Sequence, residues 1–141
     1  MTVTFIGHRD APDNIRQNLR SLIIDLIENE HADTFYIGTH GNFDAVARSI
    51  IKEISTVYPH INVFTVLAYM PTEKSKQQFD MSDTILPEDV AAALPRFAIS
   101  KRNSWMIEKS DTVIAYVKRN FGGAAKSRDI AVKKKKIIIN L

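Results

Sequence analysis

The sequence predicts an α/β fold: a Rossmann-like three-layer domain with a mostly parallel sheet of about five strands. Two observations predict it. Short apolar runs rich in β-branched residues recur between longer segments whose apolar residues follow a helical period. Within the runs, polar and apolar residues do not alternate, as expected of strands covered on both faces by helices.

The elements follow in order. Residues 3–6 form a buried strand, ended by Gly7-His8-Arg9-Asp10. Pro12 suits the first turn of a helix to about residue 30, whose Ile15, Leu19, Leu22, Ile23, Leu26 and Ile27 share one face. A second strand, 34–37, stops at Gly38, and a helix over about 43–57 turns Ala47, Ile50, Ile51 and Ile54 inward. The third strand is 61–68. Residues 69–95 hold Pro71, Pro87 and Pro95 without a clean period, and read as a long loop with one short helix at 88–94. A helix at about 98–109, a strand at 112–117, a short helix opened by Gly122-Gly123, and a last strand at 136–141 complete one domain over residues 1–141.

Composition narrows the function. With 141 residues, 45% hydrophobic and 25% charged, the chain is expected to be one soluble globular domain with a real core. No cysteine is present, which excludes disulfides, thiolate zinc sites and a cysteine nucleophile. No apolar run approaches the about 20 residues of a membrane span. The N-terminus lacks a basic, signal-like start, so a cytoplasmic location without membrane association is expected. His31, His40 and His60 show no metal-ligand spacing, and neither a metal nor a resident cofactor is expected. A net charge of +3 suits an anionic small ligand and does not of itself argue for nucleic acid.

In an open parallel sheet, ligands bind beyond the carboxyl ends of the strands. Three turns lie there: Gly7-His8-Arg9, then Gly38-Thr39-His40-Gly41-Asn42-Phe43-Asp44, then Lys118-Arg119-Asn120-Phe121-Gly122-Gly123-Ala124. Two of them lead into helices. Glycine lets the backbone approach an anion, and free amides at a helix start point at it. The spacings match neither the dinucleotide fingerprint nor a Walker loop. The candidate ligand-binding residues are therefore Gly7, His8, Arg9, Gly38, Thr39, Gly41, Asp44, Arg102, Asn103, Gly122, Gly123 and Ala124. No catalytic residue is assigned. His8 has an alternative reading as a neutral residue capping the sheet edge, and Asp44 one as a helix-start carboxylate favoured by the dipole.

Gly7-His8-Arg9, Gly38-x-x-Gly41-x-x-Asp44, Arg102-Asn103-x-x-Met106, Ser110-Asp111-Thr112-Val113-Ile114 and Gly122-Gly123-Ala124 together resemble the SLOG superfamily. That superfamily unites the DNA-processing protein A core with the lonely-guy phosphoribohydrolases, and the opening Gly-His-Arg resembles its YpsA-like branch. The resemblance implies a Rossmann-like domain that binds nucleotides or their derivatives, often as a homodimer.

Arg102 matches the arginine of the lonely-guy enzymes. Their Gly-Gly-x-Gly-Thr-x-Glu-Glu turn departs here: the third glycine becomes Ala125, the threonine Lys126, and the acidic pair Arg128 and Asp129. A glycosidic hydrolase needs a carboxylate at that point. The leading expectation is thus a nucleotide-binding or sensing module without turnover. The alternative is a nucleoside 5'-monophosphate phosphoribohydrolase using Asp129 or Asp44. DNA-processing-type nucleic-acid binding ranks third. It rests on an isoelectric point near 9.2 and on Lys133-Lys134-Lys135-Lys136, a run that equally suits a helix C-terminus. The charge excess is small and no aromatic ladder interleaves the lysines, so nucleic acid is not the expected partner.

Overall fold

A computed structural model of the chain describes residues 1–78 and 83–141. Among the described residues, six strands form one sheet: β1 (Thr2–Gly7), β2 (Thr34–Ile37), β3 (Asn62–Val66), β4 (Thr84–Ile85), β5 (Thr112–Tyr116) and β6 (Ile137–Asn140). Their order is β4-β3-β2-β1-β5-β6, and every neighbouring pair is parallel. The helices are α1 (Arg16–Asn29, after a 3-10 turn at Asp13–Ile15), α2 (Asn42–Val57), α3 (Glu73–Gln78), α4 (Glu88–Ala91), α5 (Pro95–Lys109) and α6 (Gly123–Lys133).

Alternation along the buried strands sorts their side chains into two cores. Val3, Phe5, Phe35, Ile37 and Ile114 pack against Leu19, Ile23 and Leu26 of α1 and Phe43, Ala47, Ile50 and Ile54 of α2. Ile6, Val66 and Val113 face the other way, against Met106 and Ile107 of α5 and Ala131 of α6. Trp105 packs edge-on to Tyr36 at 5.2 Å on that second face. Right-handed crossovers impose this split. The chain builds outward from β1 to β2, β3 and β4, then returns to add β5 and β6 on the other side of β1. The β1/β5 pair is therefore the topological switch point, where the connections diverge and leave a crevice.

The sheet has six strands where the sequence predicts about five. The extra one is β4, inside the expected 69–95 loop; residues 79–82 of that loop lie outside the described residues. A two-residue strand is too short to show periodicity, and pairing with Thr65 and Val66 alone defines it. The segment also carries α3, and its short helix at α4 ends three residues before the expected boundary. Helix α5 begins at Pro95 instead of 98, because proline's fixed φ suits a first helical turn.

The four-lysine run sits where α6 ends and β6 has yet to begin, at the amino edge of the sheet. Lys134 pairs with Glu108 at 2.6 Å, and Lys136 donates to the Glu108 carbonyl. Among the described residues, no helix is long and apolar enough to cross a membrane.

The end of β1 is packed without slack: a Cβ added to Gly7 would lie 2.3 Å from the Phe43 ring. Gly7→Ala is expected to lose roughly 1–3 kcal/mol through overpacking. Urea unfolding checks this; the midpoint should fall at constant m-value, and an unchanged midpoint would contradict the packing described.

Candidate functional site

Three turns at the carboxyl edge converge on a cavity of about 240 Å³. The end of β1 supplies Gly7, His8 and Arg9, the β2–α2 turn supplies His40, the first turn of α2 supplies Asp44, and α5 supplies Ile99, Arg102 and Asn103. The β5–α6 turn closes the opposite side with Arg119, Phe121, Gly122, Gly123 and Ala124. Nine of the twelve candidate residues thus line one space. Gly38, Thr39 and Gly41 do not; they stand behind it.

Those three shape the wall. A Cβ on Gly38 would lie 2.6 Å from Asp44 Oδ2 and 3.0 Å from Arg102 Cζ, so only glycine lets carboxylate and guanidinium approach from either side. Gly41 has φ +89°, and a Cβ there would meet Arg9 Cα at 2.6 Å. That close approach lets Asn42 N–H donate to the Arg9 carbonyl at 2.8 Å, joining the first two turns. Gly122 also needs its left-handed φ of +91°. Gly123 differs: nothing lies within 4 Å of its Cβ position and its φ is not left-handed, so packing does not demand glycine there. Its absent side chain leaves the start of α6 open on the cavity side.

Arg102 is 2% exposed. Its Nε donates to Asn103 Oδ1 at 2.8 Å, and its Nη1 donates to Thr39 Oγ1 and to the Val66 carbonyl, each at 3.2 Å. Nη2 donates to none of the described residues. Asn103 in turn donates to Ser127 Oγ at 3.4 Å, so it ties Arg102 to α6 and acts as a positioning residue. Asp44, also buried, accepts the His40 N–H at 3.1 Å. Burial pushes its carboxyl above the ordinary range, while Arg102, that N–H, Arg48 and Arg9 pull it back. Burial pushes the Arg102 guanidinium below its ordinary value, opposed chiefly by Asp44.

With Arg102 donating to Thr39 Oγ1, the threonine's own proton goes to His40 Nδ1 at 3.1 Å. That fits a neutral imidazole carrying its proton on Nε2. Burial, followed by the guanidiniums of Arg102, Arg9 and Arg48, lowers the His40 pKa to about 4. His8 is likewise neutral: its Nε2 accepts Lys118 N–H at 2.8 Å and Arg119 N–H at 3.3 Å. Burial lowers its pKa, with Arg119 adding to the effect. His8 therefore holds the β5–α6 turn onto the end of β1, as its capping alternative anticipates.

Two further guanidiniums stand at the mouth. Exposed Arg9 forms no ion pair with any described residue. Arg119 pairs bidentately with Asp10, both contacts at 3.0 Å, and lies 5.9 Å from the Phe121 ring, which is 70% exposed. His40, Arg119 and Phe121 are absent from the sequence-derived candidates, although all three lie in the turns that the strand-end rule selects. Asp129 bonds to Arg128 away from the cavity, and the cavity's carboxylate is Asp44. Among the described residues no cluster of histidines and carboxylates could hold a metal ion.

The arrangement sets Arg9, Arg102 and Arg119 against two carboxylates, Asp44 in the lining and Asp10 paired with Arg119 at the mouth, beside an open helix start. That environment suits an anion, above all a phosphate group.

No protein-family model matches the chain, and no curated protein sequence matches it. Two solved structures superpose on 99% of it with a TM-score of 0.69 each. One is DNA processing protein A (DprA) from Streptococcus pneumoniae, at 14% identity; the other is DNA processing protein A from Helicobacter pylori, at 18%. The fold is shared with DNA processing protein A. The chain spans 49% and 64% of those two proteins. The Helicobacter structure is described in terms of its single-stranded DNA binding mode. That finding overturns the expectation against a nucleic-acid partner, since a protein of this fold binds DNA. The physical reason is that net charge averages over the surface, whereas here the guanidiniums crowd one cavity.

Stability should depend on pH through the two histidines. Between pH 6.5 and about 4 the unfolded chain takes up a proton at His40 that the folded chain refuses, so stability falls as pH drops through this window. His8 acts with the same sign. Asp44, with its raised pKa, acts oppositely near the acidic end. His40→Gln should remove roughly 1–2 kcal/mol of the wild-type loss between pH 6.5 and 4.5. Urea titrations of both proteins at the two pH values measure it; equal losses would show that His40 is not held neutral.

Proposed function

We propose that the chain is a single-stranded DNA-binding module of DprA-like fold, and that it seats a backbone phosphate in the strand-end cavity. The observation that carries this reading is the cationic cavity itself: Arg102 buried in its wall, Arg9 without an ion pair among the described residues and Arg119 held on Asp10, next to the open start of α6. Support comes from the fold shared with a DNA-binding DprA and from the resemblance of the motifs to the SLOG superfamily. Arg102 is the fixed charge, Arg9 the exposed one, and Phe121 offers a ring on which an unpaired base stacks.

A second reading, a mononucleotide or nucleotide derivative in the same cavity, rests on the buried Arg102 and the open start of α6, which suit a terminal phosphate as well as an internal one. At about 240 Å³ the space falls below the usual range for whole small-molecule sites and holds only part of a nucleotide.

Fluorescence anisotropy with a labelled oligothymidylate tests the main reading. Binding should weaken steeply with salt, and Arg9→Ala should reduce the log–log salt slope by about 0.7, the value for one single-strand phosphate contact. Phe121→Ala should weaken binding about 5- to 100-fold, with Phe121→Trp close to wild type. Lys135→Ala, at the amino edge, should change little. Absence of binding at low salt, or loss on Lys135→Ala but not on Arg9→Ala, would contradict the proposal.

A further inference from the structure

A second ring flanks the cavity on the side opposite Phe121. Tyr69 lies three residues beyond the end of β3, is 42% exposed, and meets the His40 ring edge-to-face at 5.8 Å. His40 itself lines the cavity. The Tyr69 hydroxyl donates to the Pro95 carbonyl at 3.0 Å, so the ring is anchored at both ends although it stands at the surface. An anchored ring loses little freedom when a flat partner stacks on it.

Sheet order sets the separation of the strand ends that carry the two rings. Phe121 follows β5 and Tyr69 follows β3, and the order β3-β2-β1-β5 places three strand spacings between those ends, about 14 Å. Stacked bases rise only about 3.4 Å per step, so a single nucleotide cannot lie on both rings. Between them stand Arg102, fixed from within the protein, and Arg9, free at the mouth.

Resting on the DNA-binding reading above, we infer that the site takes an internal stretch of a single strand, with one base on Phe121 and another, a few nucleotides along the strand, on Tyr69. The ligand class is thus an oligonucleotide read across its backbone. A terminal phosphate or a free nucleoside monophosphate can engage only one half of the site.

The test compares an oligothymidylate of about eight nucleotides without terminal phosphates with thymidine 5'-monophosphate as its competitor. Tyr69→Ala should weaken oligonucleotide binding about tenfold while leaving inhibition by the monophosphate unchanged. Tyr69→Phe, which keeps the ring, should retain most of the affinity and guards against a folding defect. Tyr69→Ala and Phe121→Ala should multiply in their effects, as sites this far apart do. If the oligonucleotide binds but Tyr69→Ala has no effect, or if the monophosphate competes as well as the oligonucleotide, the inference is overturned and the DNA-binding reading stands. If the oligonucleotide does not bind at all, both fall.

Discussion

Everything at the carboxyl edge depends on a guanidinium held inside the protein. An isolated buried charge is expensive, and Arg102 persists at 2% exposure because four separate segments answer it. The Thr39 hydroxyl, the Val66 carbonyl and the Asn103 side chain accept its protons, and Asp44 balances its charge from across Gly38. Those partners come from the β2–α2 turn, the end of β3, α5 and α2. The single arginine therefore stitches the edge together, with one nitrogen left uncommitted to the described residues. Lysine would keep the charge but not the planar fork that reaches several acceptors at once.

A second, softer joint completes the wall. His8 accepts two backbone amides of the β5–α6 turn, which fastens the side bearing Phe121 and Gly123 to the end of β1. One joint is a buried charge network; the other depends on an imidazole staying neutral. Both lie at the β1/β5 switch point, where sheet topology itself opens a crevice. The glycines divide along the same line. Gly7, Gly38 and Gly41 are demanded by neighbouring atoms, whereas Gly123 leaves backbone facing open space.

Most of the fold was legible in the sequence because its signals are local. Residues 34–37 read as a strand from their apolar run alone, and the interior faces of α1 and α2 from their helical period. β4 was not legible, since two residues carry no period and only pairing with β3 defines them. At the site, the strand-end rule selected the turns that line the cavity but not every side chain within them. Arg119 and Phe121 resemble any exposed loop residues until the β5–α6 turn is folded against β1. Thr39 and Gly38 read as ligand contacts, because nothing in a linear pattern shows that a buried arginine from α5 stands between them and the cavity. Weighing partners by net charge failed for the same reason: charge density belongs to the folded surface.

The proposed phosphate seat for a single strand is the cavity beside Arg102. A crystal structure of the protein with a bound oligothymidylate tests it most directly. An internal phosphate oxygen should lie about 2.7–2.9 Å from Arg102 Nη2, the distance of a charge-assisted hydrogen bond, with the backbone passing the start of α6. DNA lying along Lys133–Lys136 at the amino edge, with the cavity unoccupied, would contradict it.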